Sequence, residues 1–122
     1  RIDVIETAKL ISVLPVTEVK LHSLYIVKDT ALAHMYEVGE VTLSSMEEYM
    51  ERVILFLSYL RPDIVIQRIV GRASGGNTLA VNGGSPWWDV KKRIDALMEE
   101  RGIMQGACCD YIDGKAVRRF VR

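Results

Sequence analysis

The chain has 122 residues, a hydrophobic fraction of 49% and equal numbers of basic and acidic side chains, 16 of each. That length is one domain or part of one, with enough apolar residues for a real core. Balanced charge excludes a global field that would hold nucleic acid or an anionic membrane, and no apolar run approaches the ~18 residues of a bilayer span.

Ile2 to Leu14 reads as a helix, because Val4, Ile5, Ala8 and Ile11 recur near the helical period, with Leu10 or Leu14 at the edge. The pattern is already under way at Arg1, as in a chain trimmed from a longer one. Pro15 ends it, since the residue before a proline avoids helical geometry. Val19 to Val27 reads as a strand. Lys20, His22, Leu24 and Ile26 point one way; Val19, Leu21, Ser23, Tyr25 and Val27 point the other. Apolar residues on both faces suit a parallel strand covered on both sides. Lys28-Asp29-Thr30 is a turn, and Asp29 or Thr30 can cap a short helix, Ala31 to Val38, with Leu32, Met35 and Tyr36 inward. Gly39 is placed to end it.

Ser45 with Glu48, or Ser44 with Glu47, fits a capping box. The helix it opens has a continuous apolar face of Met46, Tyr49, Met50, Val53, Phe56, Leu57 and Leu60, and stops at Arg61-Pro62-Asp63. Asp63 to Val70 is the second strand. Two apolar, β-branched runs joined by an amphipathic helix make a parallel crossover unit, which sets the fold class as α/β. Such a unit cannot cover both faces and both edges of its own sheet, so the chain reads as a piece of a larger parallel barrel or sheet. Raw strand edges would also favour artefactual self-association.

Gly71 to Gly84, GRASGGNTLAVNGG, has five glycines and two asparagines and reads as a loop. Loops at the carboxyl ends of parallel strands are where α/β proteins hold ligands. Ser85 can cap the last helix, with Pro86 in its first turn. Trp87, Val90, Ile94, Leu97 and Met98 form its apolar stripe, Lys91, Lys92, Arg93, Glu99 and Glu100 face water, and Gly102 stops it. The tail from Ile103 to Arg122 reads as a hairpin over Asp113-Gly114 or an irregular arm. Cys108 and Cys109 are adjacent, where a mutual disulfide is strained. They read as plain thiols of a reducing cytoplasm, and their number rules out a zinc or iron–sulfur set made by this chain alone.

VKLHSLYIVKDTALAHMYEVGE followed by SSMEEYMERVILFLSYLRPDIVIQRIVG, then a Trp-led helix with Ile94-Asp95 and a Gln105-Gly106 pair, resembles the distal half of a radical-SAM family. These are the uncharacterised iron–sulfur oxidoreductases, near the oxygen-independent coproporphyrinogen oxidases and the Elongator-type radical-SAM proteins. The resemblance runs from Arg1 to about Gly106. It implies a partial (β/α) barrel: residues 1–84 would be its distal part and residues 85–122 a C-terminal helix and extension. It also implies, for a full-length parent, a [4Fe–4S] cluster on a CxxxCxxC motif and reductive cleavage of S-adenosylmethionine to a 5′-deoxyadenosyl radical. That motif is absent here, so neither cofactor is expected on this chain alone. The family pattern has a glycine where this chain has Asp29.

In such a barrel the carboxyl ends of the strands line the active site. Here these are Tyr25 to Thr30 and Ile69 to Arg72. His22 would meet substrate or cofactor, or else be a hydrogen-bonded core histidine. Lys28 would pair with a carboxylate or phosphate, or be a solvated turn lysine. Thr30 reads more as a cap than a ligand. Gln67 and Arg68 alternate, and Gln67 is favoured as the inward one. Gly71 permits close approach to backbone or merely turns the chain. Arg72 would bind an anion or stand free in solvent. Trp87 reads as core rather than as a base-stacking residue. The clusters Lys91-Lys92-Arg93 and Arg118-Arg119 read as solvated faces, with nucleic acid the less favoured partner. The rival reading is a non-enzymatic interaction module.

Overall fold

The computed structural model describes residues 1–72, 76, 78–80 and 85–115. Among them it is a mixed α/β structure with two small sheets. In chain order the elements are α1 (Ile2–Val13), β1 (Glu18–Lys20), β2 (Ile26–Val27), α2 (Ala31–Glu37), α3 (Met46–Tyr59), β3 (Val65–Arg68), β4 (Thr78–Ala80) and α4 (Trp87–Arg101). Among the described residues no helix is long and apolar enough to cross a membrane.

Helix α3 is the centre of the core. Ser45 Oγ accepts the amide of Glu48 at 3.1 Å, so the expected cap forms. Met46, Met50, Val53, Phe56 and Leu57 are buried with Ile54, and α1 and α4 pack on either side through Val4, Ala8, Val90 and Ile94. The apolar stripe of α4 is the expected one, and it ends at Gly102 with φ 64°. Its start differs. Pro86 itself is the cap residue and no side chain caps the helix, so Ser85 does not play that part.

β1 and β3 pair in parallel, with Glu18 opposite Val65 and Val19 opposite Ile66. This is the crossover expected from the two apolar runs. Only one face of the pair is covered, however. Val19, Leu21 and Ile66 pack against the core, while Glu18, Lys20, Val65 and Gln67 are exposed, Val65 by 57%. The expectation of cover on both faces fails, because the described chain has helices for one side only.

The run from Val19 to Val27 is not one strand. β1 ends at Lys20, residues 21–25 are irregular, and β2 pairs antiparallel with β4, not with β3. Burial shows why. Ser23 is buried and Leu24 exposed, but Ile26 is buried and Val27 exposed. The inward parity flips between Leu24 and Ile26, which a continuous pleat forbids. β3 is likewise shorter than Asp63 to Val70. The glycine-rich segment is not wholly loop either, since Thr78–Ala80 forms β4 against β2; the backbone partner outweighs the local turn chemistry. Residues 73–75, 77 and 81–84 of that segment, and any hairpin arm beyond residue 115, lie outside the described residues.

Two turns follow the sequence with one exception. Thr30 Oγ1 caps α2, accepting from the Ala33 amide at 3.1 Å and donating to the Val27 carbonyl at 2.8 Å. Ala33 is the buried residue of α2, whereas Met35 is exposed rather than inward. Asp29 has φ 61°. That is left-handed backbone, where glycine is unstrained and an L-residue costs roughly 1–2 kcal/mol. The glycine of the family pattern at this place is thereby explained.

Arg61, just past α3, ties the pieces together. Its guanidinium donates to the Ser12 carbonyl at 2.6 Å and the Val16 carbonyl at 2.8 Å, and its amide donates to Ser12 Oγ at 2.9 Å. It also meets Asp63 at 2.5 Å, but that carboxylate is largely exposed. Gln105 Nε2 donates to the carbonyls of both Arg61 and Ile64 at 2.9 Å. Removing the guanidinium strands two half-buried carbonyls, so Arg61→Ala should cost about 2–3 kcal/mol in denaturant unfolding, and Asp63→Asn no more than about 0.5 kcal/mol. Equal losses would contradict this account.

Candidate functional site

The carboxyl ends of β1 and β3 converge. The Leu21 amide donates to the Arg68 carbonyl at 2.8 Å and carries the ladder one residue past β1. The next residue, His22, lays its ring directly over Gly71. A Cβ built on Gly71 would stand 2.5 Å from His22 Cε1 and 2.6 Å from Nε2, inside van der Waals contact. Only glycine accepts the ring where it is. Two of the six expected site residues, far apart in sequence, thus touch.

His22 Nδ1 lies 2.6 Å from the Ser23 carbonyl oxygen. A carbonyl only accepts, so Nδ1 carries the proton, and in the neutral ring Nε2 keeps its lone pair. The ring also leans on Tyr25, with centroids 5.1 Å apart. Tyr49 fixes the β3 side by donating its hydroxyl to the Ile69 carbonyl at 2.6 Å. Burial pushes that phenol up to about 12. Beside His22, a cavity of about 340 Å³ opens between α1, α3 and the end of β1, lined by Val4, Leu21, His22, Tyr49, Val53 and Phe56 among others. Asp3 and Arg52 also line it, 2.8 Å apart, and the Arg52 hydrogen bond holds the Asp3 carboxyl down to about 2.

The other expected residues are dispersed. Gln67 is exposed on the uncovered face of the sheet, next to the half-buried Arg68. Arg72 stacks its guanidinium 3.7 Å above the Trp87 ring, so Trp87 serves both the core and a surface arginine. Gln67, Arg68, Arg72, Trp87 and Lys91 share a second cavity of about 270 Å³. Lys28 is exposed, and Thr30 is engaged as the α2 cap. Sequence reasoning did not single out Tyr49 as a polar anchor or Lys91 as a cavity residue. Tyr49 reads as one more apolar member of the α3 stripe, and nothing in the sequence marks its hydroxyl.

The chain's own residues do not fit an iron–sulfur cluster. Cys108 and Cys109 are its only cysteines, adjacent and half-buried, where a cluster needs three or four thiolates. Among the described residues no group of three His, Cys, Asp or Glu side chains could hold a metal ion.

Similarity to known proteins bears on this arrangement. The profile of the Radical_SAM C-terminal domain matches residues 16–100. The uncharacterised protein MJ0486 of Methanocaldococcus jannaschii is 32% identical over 110 residues, which cover 86% of this chain and 33% of that protein. The uncharacterised protein YtqA of Bacillus subtilis is 32% identical over 105 residues, covering 83% of this chain and 31% of that protein. The chain therefore spans about a third of the length of these curated relatives.

The packing of His22 on Gly71 makes a coupled pair. Gly71→Ala should displace the ring, break its bond to Ser23 and cost about 1–3 kcal/mol. In a His22→Ala background the same change should cost much less. A double-mutant cycle by chemical denaturation measures the difference, and an unchanged cost in both backgrounds would show that the ring does not sit there.

Proposed function

Because the chain belongs to the Radical_SAM C-terminal domain family, we propose that it works as the C-terminal part of a longer radical-SAM iron–sulfur oxidoreductase. In that reading residues 1–84 are distal strands and helices of a partial (β/α) barrel, and residues 85–122 form its C-terminal helix and extension. The observation that carries it is the parallel β1–β3 pair with one face covered by helices and the other bare. A barrel strand has that asymmetry when the lumen side awaits the remaining strands.

The role of this chain is then to furnish pocket wall. His22, Gln67 and Gly71 stand at or near the carboxyl ends of β1 and β3, where a (β/α) barrel presents its site. Gly71 lets the His22 ring lie flat, and the Ser23 carbonyl fixes its tautomer, leaving Nε2 as an acceptor for a donor on cofactor or substrate. Lys28 follows β2 and would approach an anionic group from that side. The [4Fe–4S] cluster and S-adenosylmethionine would supply radical chemistry from the parent's remaining portion; this chain holds no thiolate set for it. The setting is cytoplasmic and the substrate is of unspecified class.

A non-enzymatic interaction module is the second reading, and Trp88, exposed by 58% on α4, is the observation that favours it. Light scattering separates the two, since a tight symmetric dimer of this chain in solution would strengthen the module.

Calorimetric titration of S-adenosylmethionine tests the first reading. Binding is expected to a cluster-loaded longer parent and not to this chain alone. Gln67→Ala in the parent should weaken it about tenfold, the loss of one hydrogen bond to a charged group. Equal binding by parent and isolated chain, or none by the loaded parent, overturns the proposal.

A further inference from the structure

The cavity at the carboxyl end of β3 has an unusual charge. Gln67, Arg68, Ile69, Val70, Arg72, Trp87 and Lys91 line it, with no carboxylate among them. From Ile64 to Trp88 the sequence has no Asp or Glu at all, so the glycine-rich segment that follows Arg72 has no acid to turn inward. Asp95 engages Lys91 at 2.9 Å on the α4 surface. Neither Arg68 nor Arg72 forms an ion pair among the described residues. Asp89, in the first turn of α4, does not line the cavity.

Lys91 is paired with Asp95, but Arg68 and Arg72 form no ion pair among the described residues. Like charges sharing a cavity repel, and solvent relieves this only partly where Arg68 is half-buried. Arg68 is in β3, opposite Lys20 in the ladder, and the Arg72 guanidinium lies over the Trp87 ring, 3.7 Å from its centre. A stacked guanidinium keeps its N–H edge free for a planar, two-point bond to an oxyanion.

We propose that this cavity binds the phosphate group of a small phosphorylated molecule, through Arg68 and Arg72 with Lys91 at the rim. Its volume of about 270 Å³ suits a phosphate or diphosphate group with a small organic remainder. The chain's zero net charge gives no extended field for a polynucleotide. The site does not depend on the radical-SAM reading, since every residue in it is in this chain.

Inorganic pyrophosphate is the probe. It is titrated into the 15N-labelled 122-residue chain while the arginine Nε–H signals are followed by NMR. The signals of Arg68 and Arg72 should move saturably, and acetate at equal ionic strength should not reproduce the effect. Arg72→Gln, on an exposed residue whose loss leaves the core intact, should weaken binding about tenfold, as should Arg68→Gln. Lys92→Gln, on the same helix but outside the cavity, should leave it unchanged. Shifts that never saturate, that spread evenly over all exposed arginines, or that survive Arg72→Gln would overturn the proposal. So would a single-stranded oligonucleotide that binds while pyrophosphate does not.

Discussion

The carboxyl end of α3 is the junction on which the other elements depend. A helix leaves its last four carbonyls without intrahelical partners, and here the segment after α4 supplies partners for three of them. The amides of Gly106 and Cys108 donate to the Leu57 and Ser58 carbonyls at 2.9 and 2.7 Å, and the Tyr111 hydroxyl donates to the Tyr59 carbonyl. Arg61 then reaches back to Ser12 in the last turn of α1 and to Val16 just beyond it, and Gln105 bridges Arg61 to Ile64. Lys9 of α1 adds its ammonium over the rings of Tyr59 and Tyr111. The segment after α4, beyond the residues matched by the family profile, is thus integral to the packing.

That junction sets the start of β3 beside the start of β1, where the Val65 amide meets the Thr17 carbonyl at 2.9 Å. Once the two chains enter side by side in the same direction, parallel pairing follows, and their carboxyl ends emerge together. The meeting of His22 with Gly71 is the consequence, and Tyr49 anchors it from α3. The geometry of the candidate site is therefore inherited from contacts at the opposite end of the strands.

The helices were legible because each carries a periodic stripe and a local stop signal. Ser45, Gly39 and Gly102 act within a few residues of their own positions, and so did the crossover, since β-branched runs around α3 leave few alternatives. The strand from Val19 to Val27 was misread because alternation on both faces hides a change of parity at Leu24–Ile26. β4 was missed because its stabilisation comes from β2, far away in sequence, and glycines flank it. Among site residues, Thr30 was legible as a cap from its place before α2. The contact of His22 with Gly71 was not, because a glycine in a turn motif says nothing about which ring will lie on it. Arg72 on Trp87 and the shared cavity of Arg68 and Lys91 are likewise products of tertiary packing. Asp29 was visible only as a departure from a family pattern, and its φ of 61° supplies the physical meaning.

What unites these features is a sheet finished on one side and bare on the other. The most direct measurement is the accessibility of that bare face. A cysteine placed at Val65, with Cys108 and Cys109 changed to serine, is labelled by a thiol reagent in this chain and in a longer radical-SAM parent. A cysteine at Glu47, on the outer surface of α3, serves as the reference. The account predicts rapid labelling at both positions in this chain, and strong protection of position 65 alone in the parent. Equal labelling of position 65 in the two would contradict the claim that this face closes against the rest of a barrel.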